Sequence, residues 1–149
     1  MKDEADSPVE LRARALRLLA RREHSRSELA RKLAPRAEST QALDGLLDLL
    51  EQKKQLSNQR FAAERARVLS RKYGAARIRQ DLKARGVDAE TVASISSEGD
   101  LEQARAILAR KYREPAATRE ERAKRMRFLQ SRGFSSEIIY KLLSAREAD

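Results

Sequence analysis

The sequence predicts an all-α protein built of three tandem three-helix repeats, each helix-turn-helix-like, in an extended, curved arrangement. Apolar residues recur at helical spacing from Val9 almost to the end, and no segment shows the period-two alternation or the Asn-Gly and Asp-Gly turns of β-hairpins. One phrase also occurs twice, with a weaker copy upstream, which is typical of stacked units that share a core. The copies are 69–73 with 82–90, 108–112 with 129–137, and 19–33.

The spacing of the copies sets the expected repeat boundaries. Tyr73 and Tyr112 are 39 residues apart, whereas Gly86 and Gly133 are 47 apart. The last copy therefore carries eight additional residues, which we place around Pro115 because proline disfavours helix at and before its position. The expected organisation is a disordered tail over 1–8 and three-helix repeats over 9–57, 58–97 and 98–149.

Three helices are predicted in the first repeat. Ser25 and Glu28 have the form of a capping box that begins the second helix, which ends before Pro35. Gly45 lies inside the third helix and costs it roughly 1 kcal/mol relative to alanine. The predicted apolar stripes are Leu11, Ala15, Leu18 and Leu19 in the first helix, Leu29 and Leu33 in the second, and Leu43, Leu46, Leu47 and Leu50 in the third.

The second repeat follows the same plan. Asn58 is the expected N-cap of its first helix, and Gly74 is expected to end that helix in the left-handed conformation. Gly86 ends the second helix, Val87 folds back on it, and Asp88 caps a short third helix. The apolar residues of the three helices are Phe61, Ala62, Ala66, Leu69 and Tyr73, then Ile78 and Leu82, then Val92 and Ile95.

The third repeat is predicted to start near Asp100. Thr118 and Glu121 form a second capping box, the helix after them stops at Gly133, and Ser135 caps the last helix. Phe134 takes the place that Val87 has in the second repeat. The apolar residues are Leu101, Ala104, Leu108 and Tyr112, then Met126 and Leu129, then Ile138, Ile139, Leu142 and Leu143.

Composition bounds the classes of partner. The net charge of +10 and the pI near 10.4 favour a polyanion, usually nucleic acid, or an acidic protein surface. The plainer interpretation is a solvated helical surface, since 38% of the residues are charged. The chain has no cysteine, an acidic start without a signal-peptide core and no apolar run long enough to cross a bilayer, so we expect a cytoplasmic protein with no membrane partner. No heptad pattern persists, so we expect a monomer.

Sequence motifs give little support to catalysis. The chain lacks the zinc-protease, P-loop, dinucleotide and nucleophile-elbow motifs. His24 is the only histidine, and we interpret it as an exposed residue at a helix end. We therefore expect no enzyme, no catalytic residues, no metal site and no cofactor.

The basic residues carry the strongest binding signal. Residues 58–97 hold nine Lys and Arg against four Asp and Glu, the largest positive surplus in the shortest span. Ile78 and Leu82 mark the buried side of one helix, so Arg79 and Lys83 should point outward, where arginine forks suit phosphates and carboxylates. A solvated helix face is the alternative for each residue. The predicted basic face consists of Arg71, Lys72, Arg77, Arg79, Lys83, Arg85, Arg122 and Arg125.

Two tyrosines occupy equivalent positions in the repeats. Tyr73 and Tyr112 each follow a basic pair. They could stack on bases, as aromatic side chains do in proteins that bind single strands. The favoured interpretation is that each packs its ring at a helix end, since aromatic residues at equivalent repeat positions usually build the shared core.

Several segments resemble one known family. Residues 61–67 with 72–87 are similar to the central signature of RecX, the bacterial regulatory protein of the RecA recombinase. Residues 15–29 resemble the first repeat of that family and residues 127–135 its third, so the resemblance covers about residues 9–145. The stretch 114–117 is irregular for the family.

The resemblance implies a cytoplasmic chain of three-helix repeats that is not an enzyme. It implies binding in the groove of RecA–DNA filaments, inhibition of their ATPase, strand-exchange and coprotease activities, and non-specific binding of single- and double-stranded DNA. Recombination, DNA repair and the SOS response would be modulated accordingly. The alternative is a helix-turn-helix protein that acts directly on DNA, and such a protein would require sequence-specific affinity.

Overall fold

A computed structural model describes residues 4–144 of the chain, and these residues are helical without any strand. The all-α prediction with three groups of three helices is confirmed; the extended, curved arrangement stays a prediction. The helices are α1 Pro8–Arg21, α2 Arg26–Leu33, α3 Thr40–Gln52, α4 Asn58–Leu69, α5 Ala75–Ala84, α6 Ala89–Ala93, α7 Asp100–Lys111, α8 Arg119–Ser131 and α9 Ser136–Ser144, with a short 3₁₀ helix, Ala34–Arg36, after α2.

The compact units of the structure are not the predicted repeats. Unit 1 comprises Met1–Glu64 with Leu82–Val92, and unit 2 comprises Arg65–Asp81 with Ala93–Asp149. The division falls inside α4, α5 and α6, so the middle repeat contributes to both units. The reason is that each unit contains packing between consecutive repeats. The boundaries at 57/58 and 97/98 therefore stay a proposal.

Unit 1 has an aliphatic core formed by α1, α2 and α3. Burial of a leucine contributes about 1.5–3 kcal/mol relative to exposure, and leucine dominates this core. The fully buried stripes agree with those predicted, except that Leu18, Leu19 and Leu46 are only partly buried. The buried residues are Leu11, Ala15, Leu29, Leu33, Leu43, Leu47, Leu50 and Leu56.

The start of unit 1 differs from the expected disordered tail. Asp6 is buried, its N–H donates to the carbonyl of Arg36, and its carboxylate accepts from Arg14 Nε at 2.8 Å. Ser7 caps α1 through a capping box with Glu10. These bonds anchor residues 6–8; residues 1–3 of the predicted tail lie outside the described residues. The hydrogen bond from Arg14 holds the pKa of Asp6 below its usual range.

Unit 2 has a separate core in which α7, α8 and α9 pack together. Its buried residues include Leu129 and Phe134, the two positions at which the sequence repeats Leu82 and Val87. Tyr112 and Phe128 pack against this core edge to face, with ring centroids 6.1 Å apart. The remaining buried residues are Ala104, Ile107, Leu108, Ile139 and Leu142.

Most predicted helix caps are present, with two corrections. The side chain of Ser57, rather than Asn58, accepts the N–H of Arg60 at the start of α4. Gly86 and Gly133 have φ angles of +78° and +89°, as predicted, but Gly74 does not adopt a left-handed conformation. Gly74 is required for close packing instead: a Cβ there would lie 2.6 Å from the carbonyl oxygen of Gly133.

Candidate functional site

Each compact unit contains one joint, which we define as the place where the start of the second helix of one repeat meets the next repeat. Joint 1 lies in unit 1. The Ser25 hydroxyl donates to the carbonyl of Arg85 at 3.1 Å, and the Arg26 N–H donates to Oδ1 of Asn58 at 2.8 Å. Gly86 approaches so closely that a Cβ would lie 2.4 Å from Oγ of Ser27.

Joint 2, in unit 2, repeats this geometry with other residues. The Gly74 N–H donates to the carbonyl of Arg132 at 2.7 Å, and the Ala75 N–H donates to Oδ1 of Asp100 at 3.1 Å. A Cβ on Gly133 would lie 2.5 Å from Cβ of Arg77. Arg132 and Gly133 thus occupy the places that Arg85 and Gly86 have at joint 1.

The charges of joint 1 are neutralised. The buried carboxylate of Glu28 lies 3.2 Å from Arg22 and 3.8 Å from Arg85, and it accepts the Ser25 N–H. Burial opposes ionisation of Glu28, but these hydrogen bonds outweigh it and hold its pKa below the usual value. Glu23, at the place equivalent to Tyr73, pairs with Arg60 at 2.8 Å.

His24 is buried beside joint 1, so its predicted exposure is wrong. Its Nδ1 lies 3.0 Å from the carbonyl of Arg22, and Nε2 lies 2.9 Å from Nζ of Lys32. A carbonyl only accepts and an ammonium only donates, so the neutral Nδ1–H tautomer satisfies both contacts. Burial lowers the pKa of His24 and keeps the ring neutral.

Joint 2 carries cations on aromatic rings instead. The guanidinium of Arg77, on α5, lies 4.9 Å from the centroid of the Tyr73 ring. The guanidinium of Arg132 lies 5.5 Å from the centroid of the same ring. Arg132 is also 5.0 Å from the centroid of Phe128. Each cation–ring contact contributes about 0.5–2 kcal/mol, depending on how far the cation is desolvated.

The series continues from Phe128 into α7 and α8. Lys111 Nζ is 4.3 Å from the Phe128 centroid and 6.0 Å from that of Tyr112, while Arg125 lies 4.3 Å from Tyr112. Cations and rings therefore alternate without interruption, and we call this series the cation–aromatic ladder. Its members in spatial order are Arg77, Tyr73, Arg132, Phe128, Lys111, Tyr112 and Arg125.

The ladder cations have no carboxylate partners within residues 4–144. None of Arg77, Lys111, Arg125 and Arg132 forms an ion pair there. The distribution of charge along the sequence agrees with this, because unit 2 holds 18 Lys and Arg against 10 Asp and Glu, whereas unit 1 holds 15 against 13. Most of the net charge of +10 thus belongs to unit 2.

Four residues of the predicted basic face are exposed. Arg71, Lys72 and Arg77 lie in unit 2, and Lys83 lies in unit 1. Nη1 of Arg77 also donates to the carbonyl of Ser131 at 3.1 Å, which fixes its guanidinium at joint 2. The units thus separate Lys83 from the other three exposed residues.

The other predicted residues are more enclosed than expected. Arg79 is half-buried, not outward-pointing: its Nε and Nη2 donate to the carbonyl of Ile95 at 3.0 and 2.6 Å, where the backbone leaves the short helix α6. Arg85 is half-buried beside Glu28, and Arg122 is half-buried on α8. Arg125 is 6% exposed because it lies four residues before the buried Leu129, on the same side of α8.

The sequence analysis missed Lys111 and Arg132 as site residues. Lys111 directly precedes Tyr112, and Arg132 directly precedes Gly133. The available signals were the lysine that precedes a tyrosine in two repeats and the arginine that precedes the turn glycine in two repeats. Cations lie over both tyrosine rings, and each ring is packed within unit 2 in this structure.

A polar cleft of about 520 Å³ lies beside joint 2. Its lining combines the cations of Arg77 and Arg79 with the amide side chains of Gln80 and Gln130. The buried carboxylate of Asp100 also faces it, and burial raises the pKa of that group despite the hydrogen bond from Ala75. The cleft therefore presents hydrogen-bond donors and acceptors together with positive charge.

Metal-binding clusters and membrane-spanning helices are absent from the part of the chain that the structure describes. Residues 4–144 contain no group of three or more His, Asp and Glu side chains arranged to hold a metal ion. None of the helices among these residues is long and apolar enough to cross a membrane.

Comparison with family models matches all three helical groups. The third three-helix domain of RecX matches residues 98–143, the second matches 57–94, and the first matches 12–42. The matches together span more than half of the chain.

Relatives and solved structures agree with the family models. A "Regulatory protein RecX" from Herbaspirillum seropedicae is 44% identical over 135 residues, which is 89% of this chain and 88% of the relative. One from Ralstonia nicotianae is 40% identical, covering 95% and 91%. The crystal structure of RecX from Lactobacillus salivarius has the same fold, with a TM-score of 0.82 at 18% identity over 95% of this chain and 97% of that one.

Proposed function

Because the chain belongs to the RecX family, we propose that it binds the RecA recombinase and RecA–DNA filaments and inhibits their ATPase, strand-exchange and coprotease activities. Recombination, DNA repair and the SOS response would be modulated through this inhibition. The observation that carries the proposal within the structure is the set of unneutralised cations in unit 2. A filament groove lined by acidic protein surface and by DNA is a partner that such charges suit.

The proposed mode of action is binding rather than catalysis. Consecutive repeats that span neighbouring protomers of a filament would hold it in one state or block its turnover, without a cofactor and without covalent chemistry. DNA contacts to phosphates add affinity that is independent of sequence. We propose that the protein acts in this way as a monomer in the cytoplasm.

The direct test is ATP hydrolysis by a RecA-type recombinase on single-stranded DNA. The rate should fall as this protein is added at fixed recombinase and DNA concentrations, with inhibition complete near a fixed ratio to recombinase. The matched control is the same titration with heat-unfolded protein. An unchanged rate at several-fold excess contradicts the proposal.

Binding is tested separately, so that a failure to inhibit can be interpreted. Immobilised protein should retain the recombinase from a lysate after nuclease digestion, because the proposed contact includes protein surface. Retention that disappears with the DNA, combined with strong preference for one DNA sequence, would favour a helix-turn-helix protein that acts on DNA directly.

A further inference from the structure

We propose that the cation–aromatic ladder is a track for the phosphodiester backbone of nucleic acid. Backbone phosphates would lie along Arg77, Arg132 and Lys111, and Arg125 would hold Tyr112 in place from beneath. The inference rests on the proposed function, because it assigns the DNA contacts of that function to one set of residues.

The ladder holds positive charge in place without neutralising it. Arg77 and Lys111 are exposed, and Arg132 is half-buried, so all three can reach a ligand. Ring faces restrict their positions but leave guanidinium and ammonium N–H groups available at the edges. A row of cations that are fixed but have no carboxylate partner within residues 4–144 is preorganised for anions. Such a row loses little side-chain entropy when an anion binds.

Arg125 is the buried cation of the ladder. Its guanidinium is buried, its Nη1 has no hydrogen-bond partner among residues 4–144, and its contact with Tyr112 is its only polar or cationic interaction there. Burying an unpaired charge is costly, so a protein retains one where it does something other than stabilise the fold. Here it adds positive potential at the buried end of the ladder, next to the Tyr112 ring that Lys111 also approaches.

Joint 1 also places a helix start against a turn carbonyl and a turn glycine of the next repeat, but its charges are paired. Ser27 contacts the turn glycine there as Arg77 does at joint 2, and Arg85, which occupies the place of Arg132, lies 3.8 Å from the buried carboxylate of Glu28. Glu23 occupies the place of Tyr73. Joint geometry therefore does not require free cations, and cations without a carboxylate partner among residues 4–144, as at joint 2, suit an external anion.

The chemistry of the row favours a phosphodiester over an acidic protein surface. Cations separated by single rings repeat along the ladder, and a nucleic-acid backbone is the partner with one negative charge at each regular step. Arginine forks match phosphate oxygens bidentately. Since the proposed contacts are between cations and phosphates and include no base edge, the track should read the backbone without regard to sequence.

The test is fluorescence anisotropy with a labelled thymidine oligonucleotide over a series of NaCl concentrations. The ladder variant combines Arg77→Gln, Lys111→Gln and Arg132→Gln. Its matched control combines Arg105→Gln, Lys124→Gln and Arg127→Gln, which removes the same number of arginine and lysine charges from unit 2 outside the ladder. Circular dichroism checks that both variants remain helical.

We expect the ladder variant to lose at least tenfold in affinity at low salt. On a single strand, the slope of log K against log salt should become shallower by about 0.7 for each phosphate that the variant no longer neutralises, whereas the control variant should change the slope much less. If the ladder variant does not fold, Lys111→Gln is compared with Lys124→Gln, because both side chains are exposed. A shallower slope in the first alone supports the track.

Other outcomes overturn the inference. Equal affinity and equal slope for the ladder and control variants would show that the ladder is not a phosphodiester site. Retained oligonucleotide binding with abolished recombinase binding would assign the ladder to an acidic protein surface. Displacement of the oligonucleotide by inorganic phosphate, but not by chloride at the same ionic strength, would mean an isolated anion site instead of a track.

The parallel ATPase titration separates this inference from the proposed function. If the parent protein inhibits the recombinase while the ladder and control variants bind the oligonucleotide equally, only the assignment to the ladder fails. If the parent does not inhibit the recombinase, the proposed function fails, regardless of the oligonucleotide affinities of the variants. Duplex DNA as competitor then reports whether the track prefers single or double strands.

Discussion

Joints 1 and 2 place a helix start against equivalent carbonyls and turn glycines of the next repeat, but their electrostatics differ. At joint 1 the carboxylates of Glu23 and Glu28 pair with arginines, and the acceptor for the helix N-terminus is the neutral amide of Asn58. At joint 2 the cations lie on aromatic rings, and the acceptor is the carboxylate of Asp100. The difference shows that two joints can pack alike while their cations are paired with carboxylates at one and lie on aromatic rings at the other.

The largest effect is expected from adding a methyl group at the glycine of each joint. Gly133→Ala should cost about 3 kcal/mol, because alanine resists the left-handed conformation and its Cβ meets the backbone N of Arg77 at 2.8 Å. At joint 1, Gly86→Ala meets only the side chain of Ser27 at under 3 Å, so Ser27→Gly should partly rescue it.

Urea denaturation of the single and rescued variants measures this difference. Rescue by Arg77→Gly should be weaker, because a Cβ on residue 133 also meets the backbone of Arg77. Rescue of Gly133→Ala by Arg77→Gly that is as complete as rescue of Gly86→Ala by Ser27→Gly would contradict this difference between the joints. Gly45→Ala is the control, because a Cβ there has no neighbour within 4 Å and the substitution should stabilise α3 by about 1 kcal/mol.

A smaller effect is expected from truncating Glu28 at joint 1 and Arg77 at joint 2. Glu28→Ala removes a buried carboxylate that accepts the Ser25 N–H and pairs with Arg22, so it should cost about 1–2 kcal/mol. Arg77→Ala should change stability by about 0.5 kcal/mol, since its side chain is exposed. Equal losses in thermal unfolding would contradict a specifically stabilising role for the carboxylate of joint 1.

The pH dependence of the two joints should differ in sign. The pKa of Glu28 is lowered, so its contribution to stability is present above the ordinary glutamate pKa and is lost as pH falls. The pKa of Asp100 is raised by burial, so its contribution is greatest below the ordinary aspartate pKa and is lost as pH rises through the raised value.

Substituting the side chains that accept the N–H groups at the helix starts tests the sign of this pH dependence. Asp100→Asn keeps an oxygen for the Ala75 N–H and removes the buried charge, so it should stabilise the protein at pH 7 by on the order of 1 kcal/mol and flatten the acid side of its stability profile. Asn58→Asp would place a second carboxylate beside Asp88 and should destabilise at pH 7, with recovery on acidification. A stability loss in Asp100→Asn at pH 7 would show that the helix N-terminus needs the charge.

The smallest effect on stability is expected from Arg77→Glu. This substitution places a carboxylate at joint 2, and a pair with Arg132 would offset the removal of the cation from the Tyr73 ring. We expect the free energy of unfolding to change by less than about 0.5 kcal/mol. A large loss of stability, measured by urea denaturation, would mean that the cation itself supports the fold at this position.

Local sequence signals predicted the helices and their ends well. The capping box of Ser25 and Glu28 and the left-handed Gly86 and Gly133 are all present, because these features depend on residues within one helical turn. The side chain of Thr118 accepts the Glu121 N–H as predicted, although the Glu121 carboxylate accepts from Ala117 rather than from Thr118. Gly74 was assigned by the same local rule and failed, because its requirement comes from Phe134 and Gly133, which lie far along the chain.

The candidate site was less predictable. Counting charges located the surplus, but the exposure of each arginine depends on partners distant in sequence: Arg79 binds the carbonyl of Ile95, and Arg77 binds that of Ser131. Arg125 lies four residues before Leu129, and this helical spacing indicates that both are buried. Because arginine is rarely buried, its charge predicted an exposed position instead.

The sequence by itself determined the all-α fold, the three groups of helices, the turn glycines and the membership of the RecX family. Periodicity, capping and repetition are local properties, so they are readable without coordinates. Only the tertiary structure decided how the cations divide between paired and unpaired states. That division depends on which carboxylate, carbonyl or ring the packing of one repeat brings to the next, and at joint 2 the packing brought aromatic rings.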